Sequence, residues 1–131
     1  MDYFNSEVWE KWANENYDDF KSLKDGSKIA MLLPDTDNLI IIEKGNRMTV
    51  EIDDRYSFEF PFAQIAFKFT DGTVDKVLKD SSLVTMKKLV LDNDIGIMSF
   101  VDEKTLNEHN YRNFLKRFGF EIGPSCTCGC C

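Results

Sequence analysis

The residues best suited to chemistry lie together at the end of the chain. Four of its last six positions are cysteine, and no cysteine occurs elsewhere among the 131 residues: Cys126, Cys128, Cys130 and Cys131. Thiols this close in sequence form only very small disulfide loops, so a bridge among them would stabilise the rest of the chain little. Thiolates are soft ligands that favour Cu(I), zinc and iron–sulfur units. The group therefore predicts a soft-metal site, whose spacing suits two-coordinate Cu(I) better than tetrahedral zinc.

Two other chemistries fit the same tail. Residues 125–131 resemble the core end of thiopeptide and related azole-bearing peptide precursors, in which Ser, Thr and Cys side chains are cyclised onto the preceding carbonyl. That resemblance implies a post-translationally modified tail. The terminal pair Cys130 and Cys131 is also similar to the prenylated ends of small vesicle-traffic GTPases, and clustered cysteines accept palmitate. A dispensable terminus is the remaining alternative.

Outside the tail, residues for acid–base or nucleophilic catalysis are few. The only histidine, His109, is predicted on a helix opposite its apolar stripe, and is therefore expected at the surface. The sequence has no glycine-rich phosphate loop, serine nucleophile elbow or pair of metal-spaced histidines. This inventory favours a protein that is not an enzyme, with an enzyme that uses carboxylates alone as an alternative.

The charge of the chain limits its partners. Sixteen Lys and Arg residues against 23 Asp and Glu residues give a net charge of -7. Because neutralisation of phosphates dominates nucleic-acid affinity, this charge opposes binding to duplex nucleic acid, and it favours a partner protein with a basic surface. The longest apolar runs, 29–33 and 39–42, are far shorter than the roughly 20 residues that cross a bilayer. We expect a soluble, cytoplasmic protein without a membrane span or signal peptide.

Apolar residues at three- and four-residue steps predict an amphipathic amino-terminal helix. Asn5 or Ser6 would cap it, and it would end near Gly26. From Lys28 the pattern changes to short runs rich in Ile, Val and Phe, separated by turn-forming residues, which predicts strands and hairpins. Alternation places strands at 48–53, 56–60 and 65–70, and Asp71-Gly72 is predicted as a hairpin turn before a strand at 73–77.

The last third of the chain is predicted to contain two helices and a strand. A helix over 83–90 would be capped by Asp80, Ser81 or Ser82, and a buried strand would follow over 95–101. Asp102 or Thr105 would open a final helix, which a left-handed Gly119 would end. The prediction is one α+β domain over residues 1–122, followed by a Cys-rich tail over 123–131. Its mainly antiparallel sheet of about five to seven strands is covered by an amino-terminal and a carboxy-terminal helix.

These features together favour a non-enzymatic, acidic protein-binding domain, such as an inhibitor, an immunity-type protein or an assembly component. The candidate partner-binding residues are the tryptophans and acids of the first helix: Trp9, Trp12, Glu7, Glu10, Glu15, Asp18 and Asp19. The helical spacing of the two tryptophans nevertheless favours a position in the core over an outward-facing one. The alternative function is presentation of a metal-binding or modified cysteine tail by the folded domain.

Overall fold

Asn5 begins the first helix of the chain. Its Oδ1 accepts a hydrogen bond from Glu7 N at 2.9 Å, which satisfies a free N–H group of the first turn. The computed structural model of the protein describes residues 5–34, 36–54, 57–59, 61–80 and 83–120. Helix α1 spans Ser6–Glu15 and helix α2 spans Tyr17–Phe20. The amino-terminal helix is therefore shorter than predicted and is interrupted at Asn16.

Five strands form one mixed sheet. They are β1 (Lys28–Leu32), β2 (Asn38–Lys44), β3 (Met48–Asp54), β4 (Ile65–Phe69) and β5 (Ile95–Ser99). Their order across the sheet is β3-β2-β1-β4-β5. All neighbouring pairs are antiparallel except β1 and β4, which are parallel. The chain thus makes a meander from β1 to β3 and then crosses the sheet to place β4 beside β1. The predicted α+β class and mainly antiparallel sheet are confirmed.

Helices cover one face of this sheet, which we call the first face. After β4 come α3 (Thr73–Lys79), α4 (Val84–Leu91), α5 (Glu103–Glu108) and α6 (Tyr111–Lys116). Alternate residues of the strands, such as Ile29, Met31 and Phe67, pack against the apolar stripes of these helices and of α1. This layer between sheet and helices is the main hydrophobic core.

Phe114 on α6 lies at the centre of an aromatic cluster in that core. Its ring centroid is 5.5 Å from that of Phe20, 5.3 Å from Phe118, 6.1 Å from Tyr111 and 6.5 Å from Phe67. Tilted and edge-to-face pairs at such distances are the favoured geometries for aromatic rings. The cluster joins α2, α6 and the interior strand β4, and so fixes the carboxy-terminal helix on the sheet.

The predicted hairpin at Asp71-Gly72 is wrong, because residues 73–79 form helix α3 and not a strand. Gly72 has a left-handed backbone with φ of 82°, which turns the chain into the helix. Thr73 Oγ1 donates to Thr70 O at 2.7 Å and accepts from Thr70 N at 3.1 Å, so its side chain holds the turn closed.

Three other predicted elements differ from the structure. The described residues of the run predicted as a strand over 56–60 are not in a strand. The strand predicted as buried over 95–101 is β5, which ends at Ser99 and has three exposed residues among its five. Asp102 caps α5 by accepting from Thr105 N at 2.9 Å, and Asn110, with φ of 66°, separates α5 from α6. Gly119 has the predicted left-handed conformation. Ser81, Ser82 and residues 121–131 lie outside the described residues, as does the boundary predicted at residue 122.

Candidate functional site

The opposite side of the sheet, which we call the second face, is covered differently. Its centre is formed by Ala30 on β1, Leu39 and Ile41 on β2, and Ala66 on β4, all buried. Among the described residues that pack on this centre, none belongs to a helix. The second face is therefore a separate, smaller apolar layer.

Described residues of the segment between β3 and β4, which we call the crossing segment, cover part of this centre. Phe58 and Phe62 of the segment and Phe100 after β5 are half-buried against it, and the rings of Phe62 and Phe100 lie 5.1 Å apart. Ala30 and Ala66 are register partners in the parallel pair of strands. Because their side chains are small, they leave room for the crossing aromatic rings.

Residues that the structure describes line two cavities on the second face. The larger has a volume of about 550 Å³ and lies at the carboxyl ends of the parallel strands β1 and β4, beside β5. Its lining is Leu32, Leu33, Pro34, Thr36, Lys68, Phe69, Thr70, Asp71 and Met98. The smaller, of about 410 Å³, is lined by Lys28, Ile41, Glu51, Phe58, Glu59, Pro61 and Phe62. Cavities of this size can receive a large side chain or a small molecule.

The margin of the second face is mostly acidic. Glu51 and Asp53 are exposed on β3, and Glu59 and Asp71 line the two cavities. Lys28 is within 3.8 Å of Glu43, so part of the basic charge on this face is already paired. The apolar surface at the centre is thus bordered by a surplus of negative charge.

The β3 edge of the sheet is closed at one point by a side chain. The amide of Asn14 on α1 accepts from Met48 N at 2.8 Å and donates to Met48 O at 2.9 Å. These are the two bonds that a neighbouring strand would make with that residue. The same amide also donates to Glu10 O at 2.9 Å, which ties the edge to the helix.

The structure places the predicted tryptophans in the core. Trp9 is 0% exposed and Trp12 is 3% exposed, and their rings pack edge to face at 5.8 Å. The apolar stripe of an amphipathic helix faces the sheet, so neither indole is available to a partner of the folded chain. The role predicted for them in partner binding is corrected to a structural one.

The predicted acids of α1 and α2 are partly neutralised within the molecule. Glu10 pairs with Arg47, and Asp19 lies 2.9 Å from Arg117. Asp18 is a more distant neighbour of Lys21 at 3.6 Å, with both side chains largely exposed. Glu7 and Glu15 are exposed at the surface of α1. The structure does not bring these acids into one cluster with the cavities, and their role in partner binding stays a prediction.

His109 was expected at the surface but is half-buried at the junction of α5 and α6. Its Nδ1 lies 2.9 Å from Ser27 Oγ, which is buried just before β1. Nearby, Tyr111 OH donates to Lys28 O at 3.1 Å and lies 3.2 Å from Gln64 Oε1. Burial raises the pKa of Tyr111 far above its usual value, so its hydroxyl stays protonated. Through these hydrogen bonds, His109 and Tyr111 connect the junction of α5 and α6 to the start of β1.

The pKa of His109 predicts a pH dependence of stability. Burial lowers this pKa below 6.5, and the charge of Lys24 lowers it further. The folded state therefore binds fewer protons than the unfolded state near that value, so stability present at about pH 7 is lost as the pH falls through the lowered pKa. Urea unfolding at about pH 7.5 and pH 5.5 checks this. The His109→Gln variant should show a smaller loss between these two pH values, and an equal loss would contradict the expectation.

Asp102 caps helix α5, and the hydrogen bonds that it accepts from Thr105 lower the pKa of its carboxyl group. No group of three or more His, Cys, Asp or Glu side chains able to hold a metal occurs within residues 5–34, 36–54, 57–59, 61–80 and 83–120. The four cysteines predicted as metal ligands lie outside that part of the chain. None of the described helices is both long and apolar enough to cross a bilayer.

Comparison with known proteins identifies no family for the chain. No family model matches it, and no curated protein matches its sequence. Among solved structures, it is similar to one described as "UbiJ-SCP2 Ubiquinone synthesis protein", with a TM-score of 0.48, 11% sequence identity and coverage of 90% of each chain.

Proposed function

We propose that this chain is a non-enzymatic protein-binding domain, acting as an inhibitor, an immunity-type protein or an assembly component through the second face of its sheet. The observation that carries the proposal is the contrast between the two faces. The first face is packed under helices, whereas the second is covered at its centre by one crossing segment and retains two cavities.

The larger cavity is suited to an apolar anchor. Met98, which lines it, is 42% exposed, and Leu32 beside it is only half-buried. Protein interfaces concentrate binding energy where one aromatic or aliphatic side chain fills such a pocket. A partner side chain placed in this cavity, over the ends of β1 and β4, would remove both apolar residues from water.

The charge around this anchor indicates the kind of partner. The chain carries -7 overall. The larger cavity is lined by one charged residue of each sign, Lys68 and Asp71, and the exposed acids Glu51 and Asp53 lie farther across the second face on β3. Complementary charge speeds association and selects against acidic competitors. The occupant that we propose is therefore a protein with basic residues arranged around an apolar centre.

A charge substitution within this surface tests the proposal. The full chain and its Met98→Arg variant would be used as baits in extracts of the native cell, under reducing conditions and at matched salt. Arginine at this position blocks the cavity and repels a basic partner, so recovery of the partner should fall by about tenfold or more. Leu91→Arg is the matched control, because Leu91 is an apolar residue of α4 that is 60% exposed away from the second face.

Each result decides the proposal. A partner that is lost with Met98→Arg and kept with Leu91→Arg supports the second face as the binding surface. Equal recovery with both variants and the unchanged chain contradicts it, as does loss of the partner with Leu91→Arg alone. Both variants should keep the thermal midpoint of the unchanged chain, since both substituted side chains are at the surface.

A small apolar molecule is a second candidate occupant. The observation that favours it is the cavity of about 550 Å³ with Leu32, Phe69 and Met98 in its wall, which is within the usual range of ligand pockets. Native mass spectrometry of the protein from its own cell distinguishes the two. A bound molecule of a few hundred daltons that is absent from Met98→Arg would replace the protein partner as the proposed ligand.

The cysteine tail remains a separate proposal. Copper or zinc bound at Cys126, Cys128, Cys130 and Cys131 would appear in the same mass spectra as added metal mass. Cyclisation would appear as loss of water, and lipidation as added acyl or prenyl mass. A tail of unmodified, metal-free mass would contradict all three.

A further inference from the structure

The two edge strands of the sheet differ in how their free backbone groups are protected. An unprotected edge strand is a template for pairing with another chain, and proteins usually block it with charges or with a covering group. On β3 both devices are present: Asn14 occupies the backbone groups of Met48, and Glu51, Asp53 and Asp54 are exposed along the strand. Both features protect the β3 edge against pairing with another strand.

Among the described residues, the β5 edge has neither device. Its five residues, Ile95–Ser99, include no charged side chain, and Gly96, Met98 and Ser99 are exposed. Helix α4 packs on the first face of the strand, where Ile95 is buried and Ile97 is half-buried. At the end of the strand, Ser99 Oγ donates to Val101 O at 2.6 Å. Among the described residues, no side chain occupies the outer backbone groups of β5 as Asn14 does on β3.

The ladder identifies which backbone groups are free. Phe100 N donates to Gln64 O at 2.9 Å, next to the pairs Ser99 with Ile65 and Met98 with Ala66. In an antiparallel ladder, residues that bond to the partner alternate with residues that do not. Met98 therefore bonds to β4, and the N–H and C=O groups of Ile97 and Ser99 point outward.

The surroundings of β5 specify what could pair with it. Asp92 and Asp94 precede the strand and Asp102 and Glu103 follow it, all exposed. Met98 lies in the wall of the larger cavity, so a strand added at this edge would have its alternate side chains next to that cavity. The edge thus combines an apolar, uncharged centre with acidic ends.

We propose that β5 binds its partner by strand addition, accepting an extended segment that has an apolar centre and basic residues at both ends. This inference rests on the proposed protein-binding function and names the partner's local structure. Backbone hydrogen bonds to Ile97 and Ser99 would provide the affinity, and the cavity beside Met98 and the four flanking acids would provide the selectivity.

A designed peptide tests this directly. The probe has alternating valine and threonine in the middle and two lysines at each end, and it is titrated into the full chain under reducing conditions. Amide hydrogen exchange is measured by NMR. Exchange of the Ile97 and Ser99 amides should slow by about tenfold or more at saturation, because these amides become hydrogen bonded. The Met98 amide, which already bonds to β4, is the internal reference and should change little.

Two control peptides make the result specific. One replaces the lysines by glutamates and should bind at least about tenfold more weakly, since its charges oppose the acids that flank β5. The other carries N-methyl groups on all of its central backbone nitrogens, which keeps the side chains but blocks strand pairing at both of its edges, and it should leave exchange at Ile97 and Ser99 unchanged.

Three results would overturn the inference. They are unchanged exchange at Ile97 and Ser99 with the lysine peptide, equal effects of all peptides, and protection of these amides by the chain's own self-association at rising concentration. These failures are distinct from failure of the proposed function. If the cellular partner is still lost with Met98→Arg while the peptide gives no protection at β5, the second face binds a protein without strand addition.

Discussion

Replacing Phe114 by alanine is expected to lower the free energy of unfolding by about 3–5 kcal/mol. The ring is 1% exposed and packs on those of Phe20, Phe67, Tyr111 and Phe118. Its removal leaves a cavity where α2, α6 and β4 meet, and the surrounding rings cannot close that cavity without leaving their own contacts. Urea unfolding followed by tryptophan fluorescence measures the loss.

Phe120→Ala is the matched control for this variant. Phe120 lies just beyond α6 and is 42% exposed, so the same substitution removes a ring that is only partly buried. We expect a loss below about 1.5 kcal/mol. Equal losses for the two variants would mean that the aromatic cluster does not hold α6 on the sheet.

Replacing Asn14 by alanine is expected to destabilise the protein by about 1–2 kcal/mol. The substitution removes the two hydrogen bonds to Met48 and the bond to Glu10 O, and leaves partly buried backbone groups at the β3 edge. The better helix propensity of alanine offsets part of this cost. The same urea measurement applies, with loss of protection at the Met48 amide as a second, local readout.

Asn113→Ala controls for helix propensity, because Asn113 is exposed on α6 and makes the same change of residue type in a helix. It should be neutral or slightly stabilising. Asn14→Asp adds a finer test: it keeps an acceptor for Met48 N but places a carboxylate opposite Met48 O. A stability equal to that of the unchanged protein in Asn14→Ala or Asn14→Asp would contradict the role of this amide as an edge cap.

Much of the fold could be predicted because its strongest patterns are local. Alternating apolar residues located β3 and β4, and the side-chain cap at Asn5 and the left-handed Gly119 marked helix ends. Helix α3 was missed because Asp71-Gly72 is also a hairpin signal. Val74 and Val77, both buried and three residues apart, are the helical spacing that distinguishes the two. The two hydrogen bonds between Thr70 and Thr73 hold the turn that begins α3. They depend on local geometry, which the pattern of apolar residues does not report.

The candidate site was not predictable in the same way. The parallel pairing of β1 with β4 joins segments far apart in sequence, and no periodicity reports it. The run containing Phe58 alternates like a strand, yet its described residues are not in one, and Phe58 packs on the cluster that contains Ala30 and Ala66. The small residues Ala30 and Ala66 could have indicated where the aromatic run packs. They can be recognised as neighbours, however, only once the register of the distant strands β1 and β4 is known.

The late arrival of β4 has a consequence for synthesis on the ribosome. The strands β1 and β2 carry the most apolar runs of the chain, and in the finished sheet both are interior. Until β4 has emerged, however, β1 is an outer strand of a three-stranded meander, and its edge, apolar from Ile29 to Leu32, is open to other nascent chains. Mispairing and chaperone dependence should therefore peak for nascent chains that stop shortly before Ile65, and should fall once β4 has closed that edge.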